Sequence, residues 1–205
     1  MPIHSYVVRY DSGFAPNPFY GFCTLATCKP DIRARAGIGD WVIGTGSADK
    51  RVGRGDHLVY AMRVTGVMTR EQYWDDDRFR RKRPNLRGTL KHAAGDNIYR
   101  WNKRTRIWDQ LDSYHSNADG SPRPKHVARD TGVDRVLISD DYVYFGGHGP
   151  KVPSALRDAD DGIVKRGRGR KLIVDVRLIT RFEAWLASLG VEGYAGAPLD
   201  WSRRN

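Results

Sequence analysis

Apolar residues in this chain come in short runs, each cut by glycine, proline or a charge. Leu58 to Met62, Trp41-Val42-Ile43 and Leu172-Ile173-Val174 are typical. Runs of this length build strands and short helices, and they fall far below the roughly 20 apolar residues that cross a bilayer. Met1-Pro2-Ile3-His4-Ser5 lacks the basic and apolar regions of a secretory signal. Two cysteines, Cys23 and Cys28, are too few for an extracellular disulfide framework. A cytoplasmic protein is expected. At 205 residues the chain can bury a core without covalent staples, and it reads as a single domain of α+β class.

Charge is the next constraint. Thirty-five lysines and arginines stand against 24 acids, a net charge of +11. Such an excess attracts polyanions, and phosphate neutralisation supplies most sequence-independent affinity for nucleic acid. The cations also cluster. Arg78-Phe79-Arg80-Arg81-Lys82-Arg83 is one block, Arg100 to Arg106 carries four, and Lys165 to Lys171 carries five. Arg78, Arg80, Arg81, Lys82, Arg83 and Arg104 are the residues expected to hold phosphates.

Local composition then orders the chain. Residues 3–10 read as a strand, ended by Asp11-Ser12-Gly13 and a proline-punctuated loop. A Gly39-Asp40 turn launches a strand at Trp41 that ends in Gly44-Thr45-Gly46-Ser47. This segment is a strand-ending turn before it is a phosphate loop, because the spacing of a P-loop is absent. Residues 57–67 form a neighbouring strand. Thr69-Arg70-Glu71-Gln72 has the residue types of a capping box and predicts a short helix. Residues 80–132 are polar and basic with isolated aromatics, which suggests an ordered insertion. Residues 134–146 read as two short strands around an Asp-Asp turn. A further strand is expected over 171–180 and a helix over 181–189.

No standard catalytic motif is present. Cys23 and Cys28 lack a second cysteine pair, and the six histidines are scattered, so no metal is expected and both cysteines read as small buried apolar side chains. No cofactor is implied. His115, His126 and His148 lie near loops carrying Asp112, Asp130 and Asp134, and a histidine–carboxylate pair there could do acid–base work. Aromatics interleaved with cations, among them Trp41, Tyr60, Tyr73, Trp74, Trp101 and Trp108, carry the physics of base stacking beside held phosphates.

An ordered series runs from Asp11-Ser12-Gly13-Phe14-Ala15-Pro16-Asn17-Pro18-Phe19 through Gly39 to Ser47, Tyr60 to Thr65 and Tyr73-Trp74 to Phe145-Gly146-Gly147-His148-Gly149-Pro150. Over roughly residues 3–153 it resembles the nucleotide-modification-associated domain 2 family of bacteria and their phages. The Gly-Asp-Trp-Val strand also resembles the PUA-like group, which includes ASCH, EVE and YTH domains. That resemblance implies a curved mixed β-barrel with flanking helices. Its core would span about 3–153 and 171–190, with a long basic insertion at about 80–132, and a base pocket would lie near Trp41 to Ser47, Tyr60 and Tyr73-Trp74.

Three readings follow. In the first, the protein recognises a modified or flipped base in DNA or RNA. Trp41, Tyr60, Tyr73 and Trp74 would supply stacking walls, and Asn17, Thr45 and Ser47 hydrogen bonds to the base edge. In the second, it is an enzyme acting on a nucleotide or modified base, with Asp11, Lys29, His115 and His148 as acid–base candidates on glycine- and proline-rich loops. The third, a structural protein facing an acidic partner, explains the charge but not the aromatics.

Overall fold

The computed structural model describes residues 1–50, 52–157 and 162–201. Its strands are β1 (Ile3–Val8), β2 (Cys23–Leu25), β3 (Trp41–Gly46), β4 (Leu58–Arg63), β5 (Gly66–Met68), β6 (Tyr99–Asn102), β7 (Ile107–Gln110), β8 (Val136–Ser139), β9 (Asp141–Tyr144), β10 (Arg170–Ile173) and β11 (Gly193–Tyr194). Its α-helices are α1 (Pro30–Arg35), α2 (Arg70–Asp75), α3 (Leu90–Ala93), α4 (Pro124–Thr131), α5 (Ser154–Arg157) and α6 (Val176–Ser188). The fold is therefore mixed α and β. The chain divides into two units, one of residues 1–11, 36–65 and 139 onward, the other of residues 12–35 and 66–138.

The first unit is built on a six-stranded sheet of order β10-β1-β3-β4-β9-β11. The β1–β3 and β9–β11 pairs are parallel and the rest antiparallel. β10 and β11 are its edges, and the described strands do not close into a barrel. Trp41, Ile43, Val143 and Ile173 pack with Leu178, Ile179 and Phe182 of α6 in the main core. The Asp175 carboxylate accepts the Arg177 N–H at 2.9 Å, which caps α6 and starts it at Val176. The expected strand over 171–180 therefore stops early, because a capping aspartate outweighs the β-branched residues after it.

The Tyr6 position pairs with Gly44, Gly44 with Tyr60, Tyr60 with Tyr144, and Tyr144 with Tyr194, one row across five strands. Gly44 makes the row possible. A Cβ there would lie 2.5 Å from the Tyr60 ring, which passes over the glycine to bond the Tyr6 hydroxyl at 3.0 Å.

The second unit holds a three-stranded sheet of order β2-β8-β5, the β6–β7 hairpin and helices α1 to α4. Residues 80–132 are ordered and share this unit with residues 12–35 and 66–79. One core cluster gathers Ala26, Tyr73, Phe79, Val136 and Ile138, and another Phe14, Ile98 and Tyr99. The capping box before α2 is complete: the Thr69 hydroxyl accepts the Gln72 N–H at 3.1 Å, and the Gln72 side chain accepts the Thr69 N–H at 2.8 Å. β8 and β9 both form, one in each unit's sheet, pairing with β5 and β4 rather than with each other.

Candidate active site

The loop after β2 reaches Cys28 and Lys29 just before α1, whose first residue is Pro30. Both residues have left-handed backbones, with φ of 56° and 42°. For side chains with a Cβ this costs about 1–2 kcal/mol each, so the surroundings must hold the turn in place. They do so from both sides. The Cys28 N–H donates to the Asp130 carboxylate at 2.9 Å, and the Cys28 carbonyl accepts from Arg33 Nε at 2.8 Å.

Arg33 is fully buried, and its remaining donors reach the carbonyls of Val133 (2.7 Å), Arg135 (2.8 Å) and Asp130 (2.8 Å). Arg70, also buried, donates to the carbonyls of Ala26 and Asp130. Two desolvated guanidiniums thus pin the backbone that carries Cys28 to the backbone that carries Asp130. Truncating either would strand several buried carbonyls without donors.

The Cys28 sulfur lies 3.5 Å from His115 Nε2, and His115 Nδ1 lies 2.7 Å from Asp130 Oδ2. Asp130 also accepts from the Tyr99 hydroxyl at 3.0 Å and from Arg129 Nε at 3.0 Å, which fills its acceptor positions. Burial alone would raise the Asp130 pKa, but the bonds from His115 and Arg129 outweigh it and hold the carboxyl well below its usual range. An ionised Asp130 requires the proton on Nδ1, which leaves Nε2 facing the thiol. Burial pulls the His115 pKa down, yet its bonds to Asp130 and Cys28 leave it raised overall. Phe14 meets the imidazole edge-on at 4.6 Å and His126 packs at 4.3 Å, so the ring cannot swing. Arg129 Nη2 lies 3.8 Å from the sulfur and supplies positive charge beside it.

A thiol, an imidazole and a carboxylate in this sequence of contacts have the arrangement of a nucleophile, a base and the group that orients the base. The donor atoms of Cys28, His115 and Asp130 also lie within 4.8 Å of one another, a spacing a metal could use. The details favour proton transfer. Asp130 sits behind the imidazole with its oxygens already occupied, which leaves two open donors, and the Arg129 guanidinium stands 3.4 Å from His115 Nε2.

Of the acid–base candidates, His115 and Lys29 therefore come together around Cys28, while Asp11 and His148 belong to the other unit. Burial lowers the Lys29 pKa, opposed by the charges of Cys28 and Asp31. Asp11 is buried, accepting from the Tyr144 hydroxyl and from the Leu199 N–H at 2.9 Å, and His148 is exposed. The reading of Cys28 as a buried apolar side chain is corrected: it is half-exposed and turned to His115, whereas Cys23 is fully buried.

The expected stacking walls are mostly core. Trp41 is 4% exposed, donates to Glu183 at 2.9 Å and carries the Arg63 guanidinium over its ring. Tyr60 lies in the tyrosine row, and Tyr73 is buried with its hydroxyl on Asp96 at 2.7 Å. Asn17 and Thr45 are fully buried and Ser47 nearly so, which removes them from any open base edge. Among the residues expected to hold phosphates, Lys82 is buried, donating to Asn17 Oδ1 at 2.6 Å and to the Phe22 carbonyl at 2.9 Å. Burial pushes its pKa down to about 8 against the pull of Asp96. Arg83 lies over Trp74, and Arg78 is paired with Asp76 at 2.7 Å. Arg80, Arg81 and Arg104 remain exposed, and Trp74 is half-exposed.

Two cavities are lined by neither Cys28, His115 nor Asp130. One of about 450 Å³ in the first unit includes Trp41, Arg63 and Glu183. The other, of about 330 Å³, lies between α2 and the β6–β7 hairpin.

The model of one protein family, described as nucleotide modification associated domain 2, matches residues 1–205. No curated protein and no solved structure matches the chain.

Proposed function

The chain belongs to the nucleotide modification associated domain 2 family, and from that premise we propose that it is an enzyme of nucleotide modification whose nucleophile is Cys28. The observation that carries the proposal is the chain of contacts from the Cys28 sulfur through His115 to Asp130. His115 Nε2 takes the thiol proton as the sulfur bonds to an electrophilic carbon of the base or of a group attached to it. Asp130 stabilises the imidazolium formed, and Arg129 stands beside the developing sulfur anion. The imidazolium returns its proton to the departing group, and water or a second acceptor then releases the product from sulfur. Arg33 and Arg70 act as positioning residues, since they hold backbone and touch neither sulfur nor imidazole.

The substrate in this proposal is a base in DNA, RNA or a free nucleotide, which suits the clustered positive charge. The base recognition implied by the likeness to PUA-like modules is part of it, with Trp74 rather than Trp41 or Tyr60 as the aromatic surface. A working thiol needs a reducing compartment, so the proposal includes a cytoplasmic location.

The test needs no substrate. Iodoacetamide at neutral pH should alkylate Cys28 and spare Cys23, as read by peptide mass spectrometry. His115→Ala should slow that alkylation by at least about tenfold, short of the roughly 10²–10⁴-fold that a general base contributes to a full reaction. A Cys28 that reacts at the same rate with and without His115 would remove the basis for the proposal.

A further inference from the structure

The cleft between α2 and the β6–β7 hairpin has the makings of a ligand site. Its volume of about 330 Å³ is at the lower end of the range for small-molecule pockets, roughly 300–1,000 Å³. Glu71, Trp74 and Asp75 line it from α2, and Arg100, Trp101 and Lys103 from the hairpin. Both indoles are half-exposed. The Arg83 guanidinium, 4.1 Å from the Trp74 ring centroid, also donates to the Trp74 carbonyl, so this indole is fixed before any ligand arrives. Trp101 is braced by its cross-strand partner Trp108, the two rings meeting edge-on at 5.2 Å.

The charges are arranged unevenly. Glu71 is paired with Lys103 at 3.3 Å. Asp75 is exposed and makes no side-chain hydrogen bond or ion pair among the described residues. It is the last residue of α2, where backbone carbonyls already gather negative potential, and no basic residue in that turn offsets it. The charge of Arg83 acts on Asp75, but no hydrogen bond among the described residues occupies its oxygens, so at the rim of a two-indole cleft it can accept a donor group from a flat aromatic ligand. Arg100 and Lys103, on the hairpin side, can meet an anionic group on the same ligand.

We infer that this cleft binds a nucleotide whose base carries an amino group, the base lying against Trp101, the amine on Asp75 and the phosphate toward Arg100 and Lys103. The cleft is not lined by Cys28, so the nucleotide it holds is a second ligand of the enzyme proposed above, distinct from the one that meets the sulfur, and its role in turnover rests on that reading. The binding itself stands apart from Cys28, and the experiment keeps the two separate.

Deoxycytidine and deoxyuridine monophosphates differ along the base edge: cytosine carries a 4-amino donor beside a bare N3, uracil a 4-carbonyl beside an N3–H, so the pair compares the amino donor with the ring N–H. Titrated by tryptophan fluorescence into the Cys28→Ser protein, the cytidine nucleotide should bind at least tenfold tighter. Asp75→Asn, an exposed change at a helix end, should abolish that preference and leave the circular dichroism spectrum unaltered. Trp101→Ala should weaken both ligands by about tenfold or more, and Cys28 in an otherwise native chain should alkylate at its normal rate in both variants. Equal affinities for the two nucleotides, or a preference that survives Asp75→Asn, would overturn the inference. Discrimination by the cleft together with an unreactive Cys28 would uphold the site and sink the nucleophile.

Discussion

At the scale of single residues, Asp11, one of the acid–base candidates, lies in the other unit from Cys28. Its carboxyl is buried beneath the tyrosine row. Burial raises its pKa to about 6, against the opposing bonds from Tyr144 and the Leu199 N–H. A carboxyl raised from 3.8 favours the protonated folded state, so its contribution is best at low pH and is lost as pH rises through about 6. Ionised at neutral pH, it costs about 3 kcal/mol. Asp11→Asn should therefore flatten the fall in stability between pH 4 and pH 7, measured by urea unfolding at several pH values. A stability difference from the native chain that does not change with pH would mean that the carboxyl titrates as if in water. The candidate active site was half legible by the same kind of reasoning. The sequence offers three histidines near loops carrying Asp112, Asp130 and Asp134 without choosing a pair, and the structure brings His115 to Asp130, 15 positions on, through one turn and one helix. Cys28 was not legible, since it stands 87 positions before His115 and nothing local marks its sulfur as facing an imidazole. The one local signal was a cysteine and a lysine placed where a strand must turn into a proline-started helix.

Elements were more legible than sites because they depend on short-range rules. β1, β3 and β4 follow from β-branched runs bounded by glycine and aspartate, and α2 follows from its capping box. That box makes a measurable claim. Thr69→Ala removes the acceptor for the Gln72 N–H and should cost about 1 kcal/mol, read by chemical denaturation. Gln72→Ala loses only the reciprocal bond on an exposed surface and should cost less. Equal losses would mean that the box acts as one unit rather than through its hydroxyl. Because α2 presents Trp74 and Asp75 to the cleft, fraying of its first turn should also weaken nucleotide binding there. What the local rules did not give was partnership. Nothing in residues 134–146 reveals that β8 and β9 pair with β5 and β4 in two different sheets, since that choice is made by strands far off in sequence. α6 begins five residues before the expected helix because Asp175 caps it within an apolar run.

For the whole molecule, the net charge of +11 overstates the number of cations free to meet a polyanion, and the structure separates them by task. Arg33, Arg70 and Lys82 are consumed in holding buried carbonyls, Arg83 braces Trp74, and Arg63 and Arg78 are paired with acids. What remains of the block beginning at Arg78 is Arg80 and Arg81, exposed on the 3-10 helix Asp77–Lys82, and Arg87 is likewise exposed in the loop before α3. None of the three has a carboxylate partner among the described residues. Arg81 lies 4.4 Å over the Tyr20 ring, which is itself stacked on His92, so cation and aromatic surface occur together there. A polynucleotide crossing this face would be held through phosphates and released by salt. The triple variant Arg80→Ala, Arg81→Ala and Arg87→Ala should weaken binding to single-stranded DNA. The slope of log affinity against log salt should become shallower by about 0.7 for each phosphate no longer neutralised. Lys82→Ala offers the contrast. It strips the Asn17 and Phe22 carbonyls of a buried donor and should lower stability, leaving the salt slope of the folded fraction unchanged. If the triple variant kept the native slope, the excess charge would serve something other than a polyanion, and the substrate would be sought among free nucleotides.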